Sequence, residues 1–438
     1  MPNIKIREQE AVSLAAFDIT ENTVLVPMLY ARSYETSTDE NTNATEVIYT
    51  DTEAVSRLFT SANAFRGWAS GHTVTVDSGL DKSYIMAYEL LLQGLNVVIK
   101  PLLYENATVG TDLSEDEAYN LVEGCINNGD LDEFKNRNLF NIKFITTGGY
   151  ANCGKTYEVT VDDEVTSKTT TSYTAIRELA EARGDAIALI EFKDFVEDET
   201  ELFYMIQEQY TPDGTGDLYS AAFFPWFNFT TIANNTQSTV LMPASFGYLM
   251  AYAESVKSNA NWFAAAGTVR GYIPGLVKPS FDVGEALMHT LQGDEEAGQQ
   301  LNIMINPIYN AGTYGYRIWG NRVVNKTSSV LADRYMNFLN VRMLLCDIKK
   351  QIYHTAMRCT FEPNDDIVWI NFKTLANSLL DRMKSGRGIS WYKWTKEVAD
   401  TKATIKATLT IQPIEAVESF DINIILTDEE VTIEDATV

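Results

Sequence analysis

Short apolar runs alternate with segments of helical period along most of the chain. The first twenty residues alternate briefly in "NIKIRE" and lack a helical period, which predicts a strand or an extended arm. "NTVLVPMLYA" (22–31) predicts a buried strand. "DTEAVSRLF" (51–59) has an acid-rich start and Val55, Leu58 and Phe59 at helical spacing, which predicts a helix. "SYIMAYELLLQGLNVVIKPLLY" (83–104) predicts a helix stopping near Gly94, where glycine takes the left-handed position past the last turn, and a strand over Val97–Leu103. Further strands are expected over 140–147, 186–192 and 219–229, and helices over 172–185, 199–210 and 242–256. In the last of these helices Pro243 suits the first turn, and Phe246, Met250 and Ala253 share a face. Strands alternating with helices predict an α/β sheet covered on both faces.

The order changes after about residue 313. A long helix is expected from about Val330 to His354, with Leu331, Phe338, Val341, Leu345, Ile348 and Ile352 on one stripe. A second helix, beyond the break "FEPND" (361–365), aligns Val368, Phe372, Leu375 and Leu379, and "NDD" (364–366) supplies carboxylates that cap its start. Two β-rich runs close the chain, "ATIKATLTI" (403–411) and "ESFDINIILT" (418–427). Helices followed by strands predict a separate α+β domain.

Composition narrows the function classes. With 438 residues, 45% hydrophobic and 21% charged, the chain can bury a large core and reads as an ordinary globular protein of two or three domains. No run of about 18 apolar residues predicts a membrane span. "MPNIKIREQE" is too polar for a signal peptide, so folding in a cytoplasm is expected. The cysteines (Cys125, Cys153, Cys346, Cys359) lie far apart, which argues against a disulfide framework or a zinc site. His72, His289 and His354 fall in no metal-binding spacing. No cofactor and no metal are expected.

The formal charge of −26 opposes nonspecific nucleic-acid binding. It is unevenly spread. Between Arg317 and Lys406 sixteen Lys/Arg face eight Asp/Glu, an excess of eight positive charges, so the remainder carries −34. The stretch after Lys406 carries acids only. Such a basic block fits either a solvated surface or a docking face for an acidic partner.

One stretch matches a catalytic pattern. Gly149–Thr156, within "FITTGGYANCGKT", satisfies G-x-x-x-x-G-K-[ST], the phosphate-cradling loop of P-loop NTPases, and "AIALIE", ending at Glu191, resembles their acid-terminated strand. The physics of that loop requires a helix to begin at the Lys-Thr. Here "YEVTVDDEVTSKTTT" follows, alternating at Tyr157, Val159 and Val161, which predicts a hairpin. Gly148 and Gly149 are then expected to turn the chain out of a buried strand. No G-x-S-x-G elbow signals a hydrolase serine.

Several strings, in order, resemble the contractile tail sheath family of myophages, which includes the sheaths of R-type pyocins and other contractile injection systems. They are "RGDAIALIEF", "SAAFFPWFNF" with Pro225 and Trp226, and "MPASFGYLMAYAESVKSNANWFAAAG" with Trp262 and Gly267. The C-terminal block is the most specific: "INPIYNAGTYGYRIWGNRVV", "NFLNVRMLLCDIKKQI", "FEPND" with Trp369, and "ATLTIQPIEAVESFDINIIL". "MPAS" and "FAAAG" lack prolines common in the family, and Val323 or Val324 stands where threonine is usual.

The resemblance implies an α/β middle domain likened to subtilisin but without a triad, an α+β C-terminal sheath domain, and extended N- and C-terminal arms. On that reading residues 1–21 form the N-terminal arm and 22–312 the middle domain, with 105–175 a candidate surface insertion. Residues 313–411 form the C-terminal sheath domain and 412–438 the C-terminal arm. The resemblance also implies a structural protein of a virion tail rather than an enzyme, assembled in the host cytoplasm. Its partners would be copies of itself in stacked hexameric rings, a tail tube protein, and baseplate and tail terminator proteins, with no nucleic acid and no membrane insertion. Arm strands carrying Ile4 and Ile6, and Phe420, Ile422 and Ile424, would add to a neighbour's sheet. Arg382, Lys384, Arg387 and Lys393, in "DRMKSGRGISWYK", are the candidates for gripping an acidic tube. A P-loop NTPase and a non-polymerising sheath-like baseplate component are the alternatives.

Overall fold

The computed structural model describes residues 22–38, 45–50, 55–77, 79–105, 112–150, 156–161, 164–169, 172–192, 199, 202–203, 206, 216–232, 237–293, 301, 303–325, 336–398, 403–414 and 416. The expected arm residues Ile4, Ile6, Phe420, Ile422 and Ile424 lie outside these, as do Cys153, Lys155 and most of the expected helix 199–210.

In chain order the elements begin with β1 (Thr23–Ala31), β2 (Tyr34–Thr38), β3 (Thr45–Tyr49), β4 (Arg57–Phe59) and α1 (Ala62–Ala69). The short strands β5 (Thr75–Val76) and β6 (Gly79–Leu80) precede α2 (Lys82–Leu92), β7 (Asn96–Tyr104), α3 (Glu115–Asn127) and β8 (Phe144–Ile145). The hairpin β9 (Thr156–Val161) and β10 (Glu164–Thr169) leads to α4 (Ser172–Arg183) and β11 (Ile187–Glu191). Then come β12 (Ser220–Phe224), β13 (Phe227–Thr231), β14 (Ser238–Met242), α5 (Ala244–Val256), α6 (Gly267–Arg270), β15 (Leu276–Pro279) and α7 (Glu285–Leu291). Last are β16 (Ile305–Asn310), β17 (Tyr316–Ile318), α8 (Leu339–Cys359), α9 (Asp366–Ser385), β18 (Ile389–Glu397) and β19 (Lys406–Pro413).

Eight strands form one sheet in the order β17-β16-β12-β11-β8-β1-β7-β4. The six inner strands are parallel, and the edge strands β4 and β17 run antiparallel to their neighbours. Alternation along β1 sends Val24, Val26 and Met28 to one face with α1, α2 and α5, and Leu25 and Leu29 to the other with α3 and α4. Both faces are buried, which is why the inner strands read as continuous apolar runs. A third cluster joins α7 to β12 and β16, and a fourth packs Trp262, Leu344 and Ile348 against Leu379, Leu380 and Met383 of α9 and Ile389 of β18.

Many expectations hold. Helix α2 ends before Gly94, whose φ of +89° is the left-handed conformation that glycine adopts freely. Asp365 caps α9, its side chain accepting from the Val368 N–H. Thr156 opens a strand, as the alternation after it required.

Four expectations fail for identifiable reasons. Residues 57–59 form an edge strand on β7 rather than a helix; only Phe59 of the three spaced apolar residues is buried, so pairing with Leu58↔Val98 outweighs the spacing. The run 219–229 is two strands in two sheets, because Pro225 has no N–H to continue a ladder, and the Trp226 indole turns inward to donate to the Phe192 carbonyl. Phe338, expected inside the long helix, instead bridges to Arg322, and α8 starts at Leu339. Leu375, assigned to the buried stripe of α9, is 42% exposed; Val368 and Leu379 are buried as expected, with Ala376, Leu380 and Met383 completing the buried face.

Two boundaries acquire detail. Within 105–175, α3 buries Ala118, Val122 and Ile126 beneath the sheet and β8 is a central strand. Gln412 and Pro413, at the expected start of the C-terminal arm, pair with Trp391 and Ile389 as the end of β19.

Candidate assembly surface

In open α/β sheets ligands sit where strand order reverses, outside the carboxyl ends of the strands. Here that switch point lies between β1 and β8, since the chain builds β7 on one side of β1 and the remaining inner strands on the other. The chain fills this crevice itself. After β8 it turns through Gly148 (φ +70°) and Gly149 (φ +87°) so closely that a Cβ on Gly148 would stand 2.2 Å from the Pro27 carbonyl oxygen. Tyr150 is fully buried there and its hydroxyl donates to Asp81, the cap of α2. Burial raises the Asp81 carboxyl above its usual range, against the pull of the Ser83 and Tyr150 hydrogen bonds.

Glu191 closes the neighbouring strand β11. Thr147 Oγ1 donates to its Oε1 at 2.6 Å, and burial lifts its carboxyl to about 7 although the Thr147 and Ser245 hydroxyls hold it down in part. The folded state therefore keeps a proton that the unfolded chain releases near the ordinary value of 4.5. Its stabilising effect is complete below 4.5 and is lost as pH rises through 7, a change of about 3 kcal/mol. Denaturant titration of the protein and of Glu191→Gln across that window will show the difference moving by about 3 kcal/mol in favour of glutamine at the higher pH. A flat difference would mean that Glu191 is already ionised in the fold.

The three histidines sit in separate places. His72 stacks on Tyr30 at 4.3 Å with Nδ1 2.9 Å from the Ala31 carbonyl oxygen, His289 lies in the last turn of α7, and His354 lies on α8 beside Tyr353. Cys125, Cys346 and Cys359 are free thiols.

The C-terminal block builds a surface of a different kind. Helices α8 and α9 pack together, and the β18–β19 hairpin lies on α9. Alternation divides the hairpin into two faces. Tyr392, Trp394, Leu409 and Ile411 turn toward α9; Trp391, Lys393, Thr395, Thr408 and Thr410 are exposed. The inner face is tied down by Tyr392 Oη donating to Asp381 at 2.6 Å and Trp394 Nε1 donating to Asn377 at 2.9 Å, with Trp394 edge-on to Trp369 and Phe372. Among the described residues β18 and β19 pair only with each other. Both outer edges therefore present, among the described residues, backbone N–H and C=O groups without a strand partner, the template on which a further strand can add.

All four basic candidates are exposed around this hairpin. Arg382 and Lys384 occupy the last turn of α9, Arg387 the turn into β18 with φ of +62°, and Lys393 the outer face of β18. The alternation of "ISWYKWTKE" carried the strand signal that the reading of this segment as a basic patch passed over.

No family model matches the chain. Over 200 residues it is 22% identical to the tail sheath protein of Vibrio phage KVP40, a match covering 44% of this chain and 27% of that protein. Among solved structures it is similar to the sheath complex of the extracellular contractile injection system PVC in its contracted state, with 14% identity over 98% of both chains and a TM-score of 0.60. It is also similar to a chain of the anti-feeding prophage baseplate in its contracted state, with 16% identity, 98% and 99% coverage and a TM-score of 0.58. A sheath tail protein from Listeria innocua is 8% identical over 90% of this chain and 92% of its own, with a TM-score of 0.52. The resemblance carried by the sequence strings thus stands, and the fold is that of contractile sheath proteins over nearly the whole chain.

Proposed function

We propose that this chain, folded as contractile sheath proteins are, is a structural sheath subunit that polymerises around an inner tube in a phage tail or related injection device and works without catalysis. The observation that carries this reading is the β18–β19 hairpin, whose two edges are both open among the described residues. An isolated two-stranded sheet is marginal in water, and its stability here rests on α9. Strands from neighbouring copies, carrying Ile4 and Ile6 or Phe420, Ile422 and Ile424, would complete it by backbone hydrogen bonding. Contraction then rotates near-rigid subunits that remain tied by these strands, and the free energy held in the extended array drives the tube through the host envelope. Arg382, Lys384, Arg387 and Lys393 face an acidic tube in this arrangement, and the basic charge that surrounds them within a strongly acidic chain supports that role.

Purified protein examined by negative-stain electron microscopy will show tubes or stacked rings. Chains lacking 1–20 or 417–438 will stay dispersed while keeping the circular dichroism of the parent. The second cut spares Gln412 and Pro413, which belong to β19. The similarity to an anti-feeding prophage baseplate chain keeps a second reading, a non-polymerising component that caps one end. Protein that stays monomeric and binds only tube ends would establish it. Tubes that form equally well from both truncated chains would exclude strand exchange.

A further inference from the structure

Arg342 and Lys349, seven residues apart on α8, share a face of that helix, and both reach Tyr219. The Arg342 Cζ and the Lys349 Nζ each lie 5.0 Å from the centre of its ring. Lys349 also donates to the Tyr219 hydroxyl at 2.6 Å and to the Gly184 carbonyl, just past the end of α4, at 3.3 Å. Arg137 brings a third cation: its Nη2 and the Tyr219 hydroxyl would each stand 3.8 Å from a Cβ placed on Gly184. Gly184, at φ +63°, has no side chain to fill the space between these groups. Lys349 is exposed, and Arg137 and Tyr219 are half-buried, so the corner can be reached from solvent.

No carboxylate answers these charges among the described residues. None of the three cations forms an ion pair there, and Asp185, next to Gly184, is taken by Arg183 at 3.0 Å. Arg342 is only 3% exposed, its Nη2 meets the Met336 sulfur at 3.2 Å, and its Nε has no hydrogen-bond partner among the described residues. Burial disfavours its charge, yet a guanidinium does not give up its proton in a protein. The carbonyl end of α4 carries about half a negative charge, too little to offset three cations. Donors are left over as well. An ammonium has three, of which Lys349 uses two, and the Tyr219 hydroxyl, which accepts from Lys349, keeps its own proton to give.

A buried cation without an acid is costly until one is supplied. Copies of this chain carry acids in excess, 60 Asp and Glu against 34 Lys and Arg in each. We propose that this corner receives a carboxylate side chain of a second copy, which accepts from Lys349, Arg137 and the Tyr219 hydroxyl above the charge of Arg342. The inference rests on the reading of the chain as a polymerising subunit and deepens it. Strand addition joins copies through backbone bonds that repeat every two residues, so by itself it tolerates a slip of register. A carboxylate seated among three cations has one place to sit and fixes that register. The corner uses none of Arg382, Lys384, Arg387 and Lys393, which keep their tube-facing role.

For the test, nitrogen-15-labelled and unlabelled full chains are mixed in equal amounts, allowed to assemble, imaged by negative stain and treated with a carbodiimide. The reagent condenses the Lys349 amine with a carboxylate in contact with it, forming an amide with loss of water, and peptide mass spectrometry reads the product. Tubes with mixed-isotope crosslinks at Lys349 are the expected result, and the joined peptide identifies the acid. Tubes whose Lys349 crosslinks are absent or hold a single isotope would overturn the corner and leave the polymer reading standing. Dispersed protein without mixed-isotope crosslinks would overturn both. Lys349→Glu and Arg342→Met should each raise the concentration needed for assembly about 10-fold or more. Lys278→Glu, the same charge change on exposed β15, should leave it within about twofold. In dispersed protein Arg342→Met should not lower the melting temperature, because it removes a buried cation that has no acid of its own. A lowered melting temperature with unchanged assembly would make Arg342 a packing residue, and an equal loss of assembly in Lys278→Glu would make the effect one of net charge. Either overturns the proposal.

Discussion

Asp347→Ala will lower the unfolding free energy by about 3–5 kcal/mol, among the largest losses available to a single substitution in this protein. Lys143, at the entrance to β8, places Nζ 2.8 Å from Asp347 Oδ2 on α8, with side chains 2% and 4% exposed. Asn261 Nδ2 donates to the same oxygen at 3.1 Å. Burial alone would push the Lys143 ammonium down, but the attraction of Asp347 and their hydrogen bond outweigh it, leaving the lysine above its ordinary value. Removing the carboxylate strands a buried cation at the centre of the main sheet. The intact pair need not be strongly stabilising, since taking both charges from water offsets much of their attraction. Lys143→Met with Asp347→Leu should therefore recover most of the loss. Urea midpoints at constant m-value measure both. If the double variant were as unstable as Asp347→Ala, the loss would come from packing around α8 rather than from the stranded charge.

Gly148→Ala will cost about 2–5 kcal/mol, combining a left-handed backbone with overpacking against a carbonyl that cannot move. The contact is with the Pro27 oxygen of β1, in the middle of the sheet, at 2.2 Å from the added Cβ. Lys155→Ala, by contrast, should change stability by no more than about 0.5 kcal/mol, and Mg-ATP should not shift the melting temperature of either protein. A melting temperature raised by nucleotide and restored to baseline by Lys155→Ala would return the phosphate-binding reading. The glycines of "TTGGY" serve close packing between strands, where in a P-loop they would leave backbone N–H groups free for a phosphate.

Legibility in the sequence followed the range of the interactions. α2 with its Gly94 stop, β7, α5 and the Asp365 cap depend on neighbours within one or two turns, and the pattern contained them. The hairpin after Gly149 was legible for the same reason. β4 was not: its spacing is helical, and its strand character comes from β7, some forty residues away. A continuous apolar run around Pro225 hid a passage from one buried sheet to another, because both halves are core. The pairing of Lys143 with Asp347 spans 204 residues, and the cationic corner joins Arg137 to Arg342 and Lys349; neither has any periodic signature. Of the candidate assembly surface, the basic residues were visible as composition. The two open edges became apparent only once β18 and β19 were seen, among the described residues, to pair with each other alone.

Helix α8 belongs to two cores at once. Leu339, Met343 and Cys346 pack into the main sheet's cluster, while Leu344 and Ile348 pack into the cluster beneath the β18–β19 hairpin. Its 21 residues make a rod of about 32 Å with no proline or glycine in it. A pull on either open edge of the hairpin is therefore a lever load. It passes through α9 and α8 into the sheet, where it is met by shear across Lys143–Asp347 rather than by bending of a linker.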